Sequence, residues 1–178
     1  MYCTNHKILL AIVLLPWVPA CFAERADRNE SIHLEADQVL MDDAKQISTF
    51  TGNVRLTQGT LLIRGDKIVV AQDKDGFYLA TAYGNTAEFR QKLEGPDEYV
   101  EGYGKSIEYD TRTETVNLHE QASLKRNRDE VSGNHIIYSA RTGIFKVNGS
   151  DGNSLNKPRQ RVRAVLQPKT NENTESSS

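Results

Sequence analysis

The sequence has 178 residues, 22 basic and 24 acidic, for a net charge of −2. That near-neutral balance excludes the basic face a nucleic-acid partner needs. The length suits one domain with a real core plus short ends, and rules out a large multidomain assembly within the chain.

Residues 1–23 read as a secretory signal peptide, with Lys7 as the positive lead and an uncharged apolar run from Ile8 to Val18. The run is too short to span a membrane, and Pro19-Ala20-Cys21-Phe22-Ala23 offers cleavage after Ala23. The rival, a lipoprotein box with Cys21 lipidated, is disfavoured by Pro19 beside the cleavage site. Removing residues 1–23 takes away Lys7, Cys3 and Cys21 and moves the net charge to −3. An exported chain without cysteine has no disulfide and no thiol chemistry; packing and backbone hydrogen bonds must hold it.

Residues 24–31 read as a flexible lead and 32–167 as the folded domain. Between Ile32 and Val147 no window carries helical spacing of apolar residues; period two dominates. Ile32, Leu34 and Ala36 alternate, followed by Val54 and Leu56, Leu61 and Ile63, and Ile68 and Val70. Phe77 and Leu79, Ala87 and Phe89, Ile107 and Tyr109, and Val116 and Leu118 come next. Ala122 and Leu124, Ile136 and Tyr138, then Phe145 and Val147 complete the series. Turn residues punctuate it at Asp42-Asp43, Gln58-Gly59, Asp73 to Gly76, Gly84-Asn85, Glu94 to Asp97, Asp110-Thr111 and Asn127 to Asp129. From Asn148 to Lys157 the composition is that of a loop; Arg161 to Leu166 is a last strand, and Pro168 to Ser178 a disordered tail.

The strands repeat. Ile63-Arg64-Gly65-Asp66-Lys67-Ile68-Val69-Val70 sets a pattern of apolar, any, Gly or Ala, Asp or Asn, any, branched apolar, any, large apolar or Tyr. Leu34 to Met41 and Val131 to Tyr138 follow it, and a looser copy runs from Val100 through Gly102 and Gly104 to Tyr109. A second, weaker unit lies between these copies at Gly52 to Leu56, Gly84 to Phe89 and Glu120 to Leu124. Glu120 follows Gly52 by 68 residues, and Gly133 follows Gly65 by the same 68. Alternating units of this kind predict an all-β jelly roll or solenoid-like stack of short antiparallel strands, each rung burying its side chains against the next. The glycines are expected at corners, where the chain turns sharply or leaves negative φ. Such a stack has open edges with unpaired backbone groups, available for edge-to-edge assembly.

No catalytic constellation is present. His33, His119 and His135 are singletons without ligand spacing, so no metal site is expected. Asp73-Lys74-Asp75-Gly76 imitates a calcium loop but lacks the closing glutamate, and reads as a hairpin turn. No cofactor is implied. The apolar interior has two readings: a plain core, or a groove lined by side chains of mixed size that accepts a guest.

Residues across the domain carry a resemblance. Ile32-His33-Leu34-Glu35-Ala36-Asp37-Gln38, then Phe50-Thr51-Gly52-Asn53-Val54, Thr57-Gln58-Gly59-Thr60 and Gly65-Asp66-Lys67 resemble the LptA/OstA-like family of periplasmic lipopolysaccharide-transport proteins in Gram-negative bacteria. The similarity extends from Ile32 to Pro168. It implies a twisted β jelly roll whose interior takes the acyl chains of lipopolysaccharide. It implies protomers joined edge to edge, linking LptC at the inner membrane to the LptD/LptE translocon at the outer membrane. Ile32, Phe89 and Tyr109 match interior family positions that face lipid; alternation adds Leu34, Phe50 and Leu118. Burying a methylene is worth about 0.8 kcal/mol, so an acyl chain of about fourteen carbons stands to lose on the order of 10 kcal/mol in water. A carrier of such a molecule needs an apolar groove and open ends, and no catalyst. The expectation is a periplasmic, non-enzymatic carrier that shields lipid A during outer-membrane assembly. A charge at Phe89 or Tyr109 is expected to lower binding with the fold intact. The alternatives are a purely structural β scaffold with a packed core, or a polysaccharide-active enzyme, which would need paired carboxylates on one face.

Overall fold

The computed structural model describes residues 30–93, 98–149 and 161–168. The expected signal peptide and the tail beyond Pro168 lie outside the described residues. Ten strands form one antiparallel sheet: β1 (Ile32–Glu35), β2 (Gln38–Asp42), β3 (Ile47–Gln58), β4 (Leu61–Asp73), β5 (Gly76–Lys92), β6 (Tyr99–Asp110), β7 (Thr115–Arg126), β8 (Asp129–Ser139), β9 (Ile144–Asn148) and β10 (Arg163–Val165). From β3 to β8 each strand pairs with its sequence neighbour, and β1 and β2 share β3 as β9 and β10 share β8. No helix among the described residues is long and apolar enough to cross a membrane.

The architecture is the expected all-β stack with open edges, but its short apolar runs join in pairs. β3 to β8 are single strands of 11 to 17 residues. Each pairing between them breaks register at mid-strand, at Thr51/Val54, Arg64/Lys67, Tyr83/Ala87, Tyr103/Ser106 and His119/Ala122. These breaks line up into a bend that divides the sheet into two leaves. The first leaf holds β1, residues 54–64, the second half of β5, the first half of β6, residues 122–133, and β10. The second leaf holds β2 and β9 with the remaining halves. The leaves face each other: the Phe89 ring of the first lies 6.3 Å from the Tyr138 ring of the second.

The two sequence motifs are explained by direction. Rungs that cross from first leaf to second (β1 with β2, then β4, β6 and β8) carry the Gly-Asp type of motif. Rungs that return (β3, β5 and β7) carry the weaker one. On two of the three return rungs, β3 and β7, the bend uses left-handed residues, Gly52 and Asn53 at φ 84° and 46°, and 68 positions later Glu120 and Gln121 at 54° and 56°. On the outward rungs the glycines serve otherwise. Gly65 is absent from the positive-φ residues; a Cβ there would lie 2.7 Å from the Tyr83 carbonyl oxygen of the next rung. Gly133 stands in the same relation to the Asn148 carbonyl oxygen, at 2.8 Å. Close backbone approach, and not a left-handed φ, demands glycine at these two corners.

Two further expectations are corrected. Gly84-Asn85 is no turn between strands but the bend inside β5. Phe77 and Leu79 are the expected inward pair there; Phe77 does pack on the core, but beyond it the inward positions pass to the fully buried Ala80 and Ala82. A register shift between Ala71 and Gln72 changes the phase after the hairpin, so Leu79 pairs with Ala71 off the inward rows.

On the bend's outer side His119 of β7 stands opposite His135 of β8, the rings stacked at 4.3 Å and 11°. Burial, then the neighbouring His119, pulls the His135 pKa below its ordinary value, against a weaker upward pull from Glu108. A histidine depressed on folding contributes stability above the unfolded pKa of about 6.5 and loses it as pH falls through that value towards the folded one.

Two outcomes follow from this geometry. Gly65→Ala should destabilise the chain by about 1–3 kcal/mol, read as a lower urea midpoint with an unchanged slope. The melting temperature should fall between pH 7.5 and 5.5, and His135→Gln should reduce that fall when the two proteins are melted side by side.

Candidate functional site: an apolar interior between two leaves

Cross-strand register carries inward side chains straight through the stack. In the first leaf the row runs Leu34, Leu56, Ile63, Phe89, Gly102, Leu124, Val131, Ala164. In the second leaf one row runs Val39, Phe50, Ile68, Ala82, Ile107, Leu118, Ile136, Val147. A parallel row runs Met41, Ser48, Val70, Ala80, Tyr109, Val116, Tyr138, Phe145. Apart from Ser48 and Gly102 every member is apolar or aromatic. The rows meet across the interior, where a Cβ at Gly102 would sit 2.9 Å from a Leu118 methyl group and 3.5 Å from the Phe89 ring.

All six side chains singled out from the sequence lie on this inward side, at different depths. Phe89 and Leu118 are fully buried and Tyr109 is 8% exposed. Ile32, Leu34 and Phe50 are half-buried and pack on the core from the β1–β3 end. A carboxylate at Phe89 would therefore be an unpaired charge in a closed apolar space, which costs several kcal/mol. That corrects the expectation of an intact fold for a charged variant there; half-buried Leu34 and Phe50 are the informative positions.

The rows do not stop in polar residues. At the sheet's edges the second-leaf rows reach exposed apolar side chains, Val39 (53%) and Met41 (63%) on β2 and Phe145 (41%) on β9, beside the outward Leu40 (71%) and Ile144 (67%). Two edges carrying open backbone groups and apolar row ends are what an edge-pairing protein presents.

The outer faces hold ion pairs and cation–π contacts of modest worth: Arg64 with Glu88 at 3.2 Å, Arg90 with Glu101 at 3.3 Å, and Arg90 over the Tyr99 ring at 4.0 Å. The Tyr103 phenol is pushed above its ordinary pKa by burial and then by the Glu101 and Glu88 carboxylates, so it stays protonated at neutral pH. Among the described residues no group of three or more His, Cys, Asp or Glu is placed to hold a metal ion. Sequence spacing did not bring His119 and His135 together, because only the β7–β8 register makes them neighbours. It also passed over a cavity of about 340 Å³ at the open side, where Ile32 and Gln58 of the first leaf meet Phe77, Tyr78, Thr111 and Arg112 of the second. The sequence marks Ile32 as a lipid-facing position, Phe77 as a strand position and Gln58 and Thr111 as turn residues, and gives no signal at Tyr78 or Arg112.

Comparison with known proteins agrees with this geometry. Residues 33–144 match the family described as LptA/(LptD N-terminal domain) LPS transport protein. The chain is 31% identical over 165 residues to the lipopolysaccharide export system protein LptA of Escherichia coli, covering 92% of this chain and 84% of that one. It is 29% identical over 171 residues to LptA of Haemophilus influenzae, covering 94% and 95%. The crystal structure of LptH from Pseudomonas aeruginosa, the LptA-homologous periplasmic component of its lipopolysaccharide transport device, superposes with a TM-score of 0.74 at 29% identity, over 80% of this chain and 99% of that one. The chain belongs to the family of LptA and LptD N-terminal-domain lipopolysaccharide-transport proteins.

Proposed function

We propose that this chain is a periplasmic carrier and bridge for lipopolysaccharide, holding the lipid A acyl chains between its two leaves on the way to the outer membrane. The observation that carries this reading is the set of apolar rows running across the stack from one open edge to the other. A guest lying along them keeps its methylenes out of water at every rung. The interior is filled by side chains, so entry requires the leaves to part. The seam opposite the bend is the place for that, since strand pairing joins each leaf internally and the bend joins them on one side only.

In the same reading, residues 1–23 are removed after Ala23 on export. Ile32, Leu34, Phe50, Phe89, Tyr109 and Leu118 are the acyl-chain contacts. The edges pair with β domains of LptC on the inner-membrane side and of LptD, with LptE, on the outer-membrane side, and with further copies of the chain. No step needs a catalyst: the guest enters and leaves unchanged.

Placement of a photoreactive amino acid tests the interior. Probes at Leu34, Phe50 and Tyr109 should crosslink to lipopolysaccharide in cells, whereas probes at outward Thr49 and Arg55 should not. Equal labelling of both sets would remove the interior from the mechanism. The edges are tested by Met41→Asp and Phe145→Asp. Both residues are exposed, so monomer stability should change by no more than about 0.5 kcal/mol. Each variant should shorten the assemblies that the parent forms in light scattering at rising concentration.

A further inference from the structure

The cavity at the open seam differs from the rows in its chemistry. Ile32 and Phe77 form an apolar wall that packs on the core. Facing them are Gln58, Asp73, Asp75, Tyr78, Thr111 and Arg112. The polar wall is held in place by its own bonds. Arg112 pairs with the Asp73 carboxylate and lies 4.2 Å over the Tyr78 ring. The Thr111 hydroxyl donates to the Phe77 and Tyr78 carbonyls, at 3.3 Å each. The Asp75 amide donates to the other Asp73 oxygen at 2.9 Å. Gln58 is 6% exposed and its amide donates to the Glu30 carbonyl at 3.2 Å.

Three properties narrow the ligand. The volume falls within the range of small-molecule sites, about 300–1,000 Å³. The polar wall offers a guanidinium and an amide as donors beside two carboxylates as acceptors, with two negative charges to one positive. That balance disfavours a bare anion and suits a neutral group rich in hydroxyls and amides. The apolar wall leads into the interior, so the ligand carries hydrocarbon on one side and hydrogen-bonding groups on the other.

We infer that this seam cavity binds the acylated amino-sugar backbone of a glycolipid, at the point where its acyl chains leave the sugar and pass between the leaves. Ile32 and Phe77 contact the first methylenes. Asp73, Asp75 and Arg112 hydrogen-bond sugar hydroxyls and amides, and Tyr78 and Thr111 keep Arg112 in register. The inference rests on the carrier reading, to which it adds a polar site that fixes where along the groove the lipid sits.

The test uses the full mature chain, isotope-labelled for amide NMR, and two probes: intact lipid A, and an unphosphorylated glucosamine disaccharide stripped of fatty chains but keeping its amides as N-acetyl groups. The stripped sugar should shift the amide signals of Asp75, Phe77, Tyr78 and Thr111. Arg112→Ala should weaken that binding by about tenfold or more, as expected for loss of a charge-assisted hydrogen bond. Asp75→Asn, at an exposed side chain outside the ion pair, should weaken it as well and keeps the test meaningful if Arg112→Ala unfolds. Stripped sugar that shifts no signals at millimolar concentration, shifts signals elsewhere, or binds both variants as well as the parent overturns the inference. Binding of lipid A without binding of the sugar would overturn it and leave the carrier reading standing. Sugar binding without lipid crosslinks from Leu34 or Phe50 would support the site and defeat the carrier reading.

Discussion

Among the described residues the sheet has one apolar face and no helix to cover it, so that face must be buried against itself. This chain does so by bending every rung at mid-length, so that its two halves become the opposing walls of one interior. The bend is therefore the constraint from which the rest follows. It calls for a left-handed pair of residues on β3 and β7, and for glycine against a neighbouring carbonyl on β4, β6 and β8. It also leaves the opposite side unjoined by backbone hydrogen bonds, and there the seam cavity opens.

Much of this was legible in the residues. Period two in apolar positions identified the strands, and the 68-residue spacing identified the repeat, because the corner of β3 recurs in β7 and that of β4 in β8. What spacing alone left out was continuity across the corner. A bulge interrupts alternation in the same way that a turn does, so Gly84-Asn85 read as a connection and the halves of β5 as separate strands. The phase error at Leu79 has a similar origin: a one-residue shift just after Phe77 turns the following side chains over. Large apolar residues advertise a core position more loudly than the alanines that fill it.

The candidate site divides along the same line. Leu34, Phe50, Phe89, Tyr109 and Leu118 were found because they obey the strand period, and a row position is a property of the period. Their depths were not found, since burial depends on which rungs lie above and below. Phe89 is closed in by rungs on both sides, whereas Leu34 stands on β1 at the edge. The seam residues come from the start of β1, the end of β3 and the β4–β5 and β6–β7 hairpins, and only the fold brings them together. Function at the level of the family was carried by a few local motifs; the polar chemistry of the seam was carried by none.

The order of pairing has a consequence for how such a chain reaches its native state. From β3 to β8 each strand joins the one just made, so most contacts close loops no longer than a hairpin. Short loop closures cost little entropy and favour rapid formation. The described residues hold no cysteine, so rungs can be laid down one after another with no disulfide between them, and growth of the sheet is the same event repeated. The last rung added within one chain presents a neighbour with the same kind of backbone template that the chain used on itself.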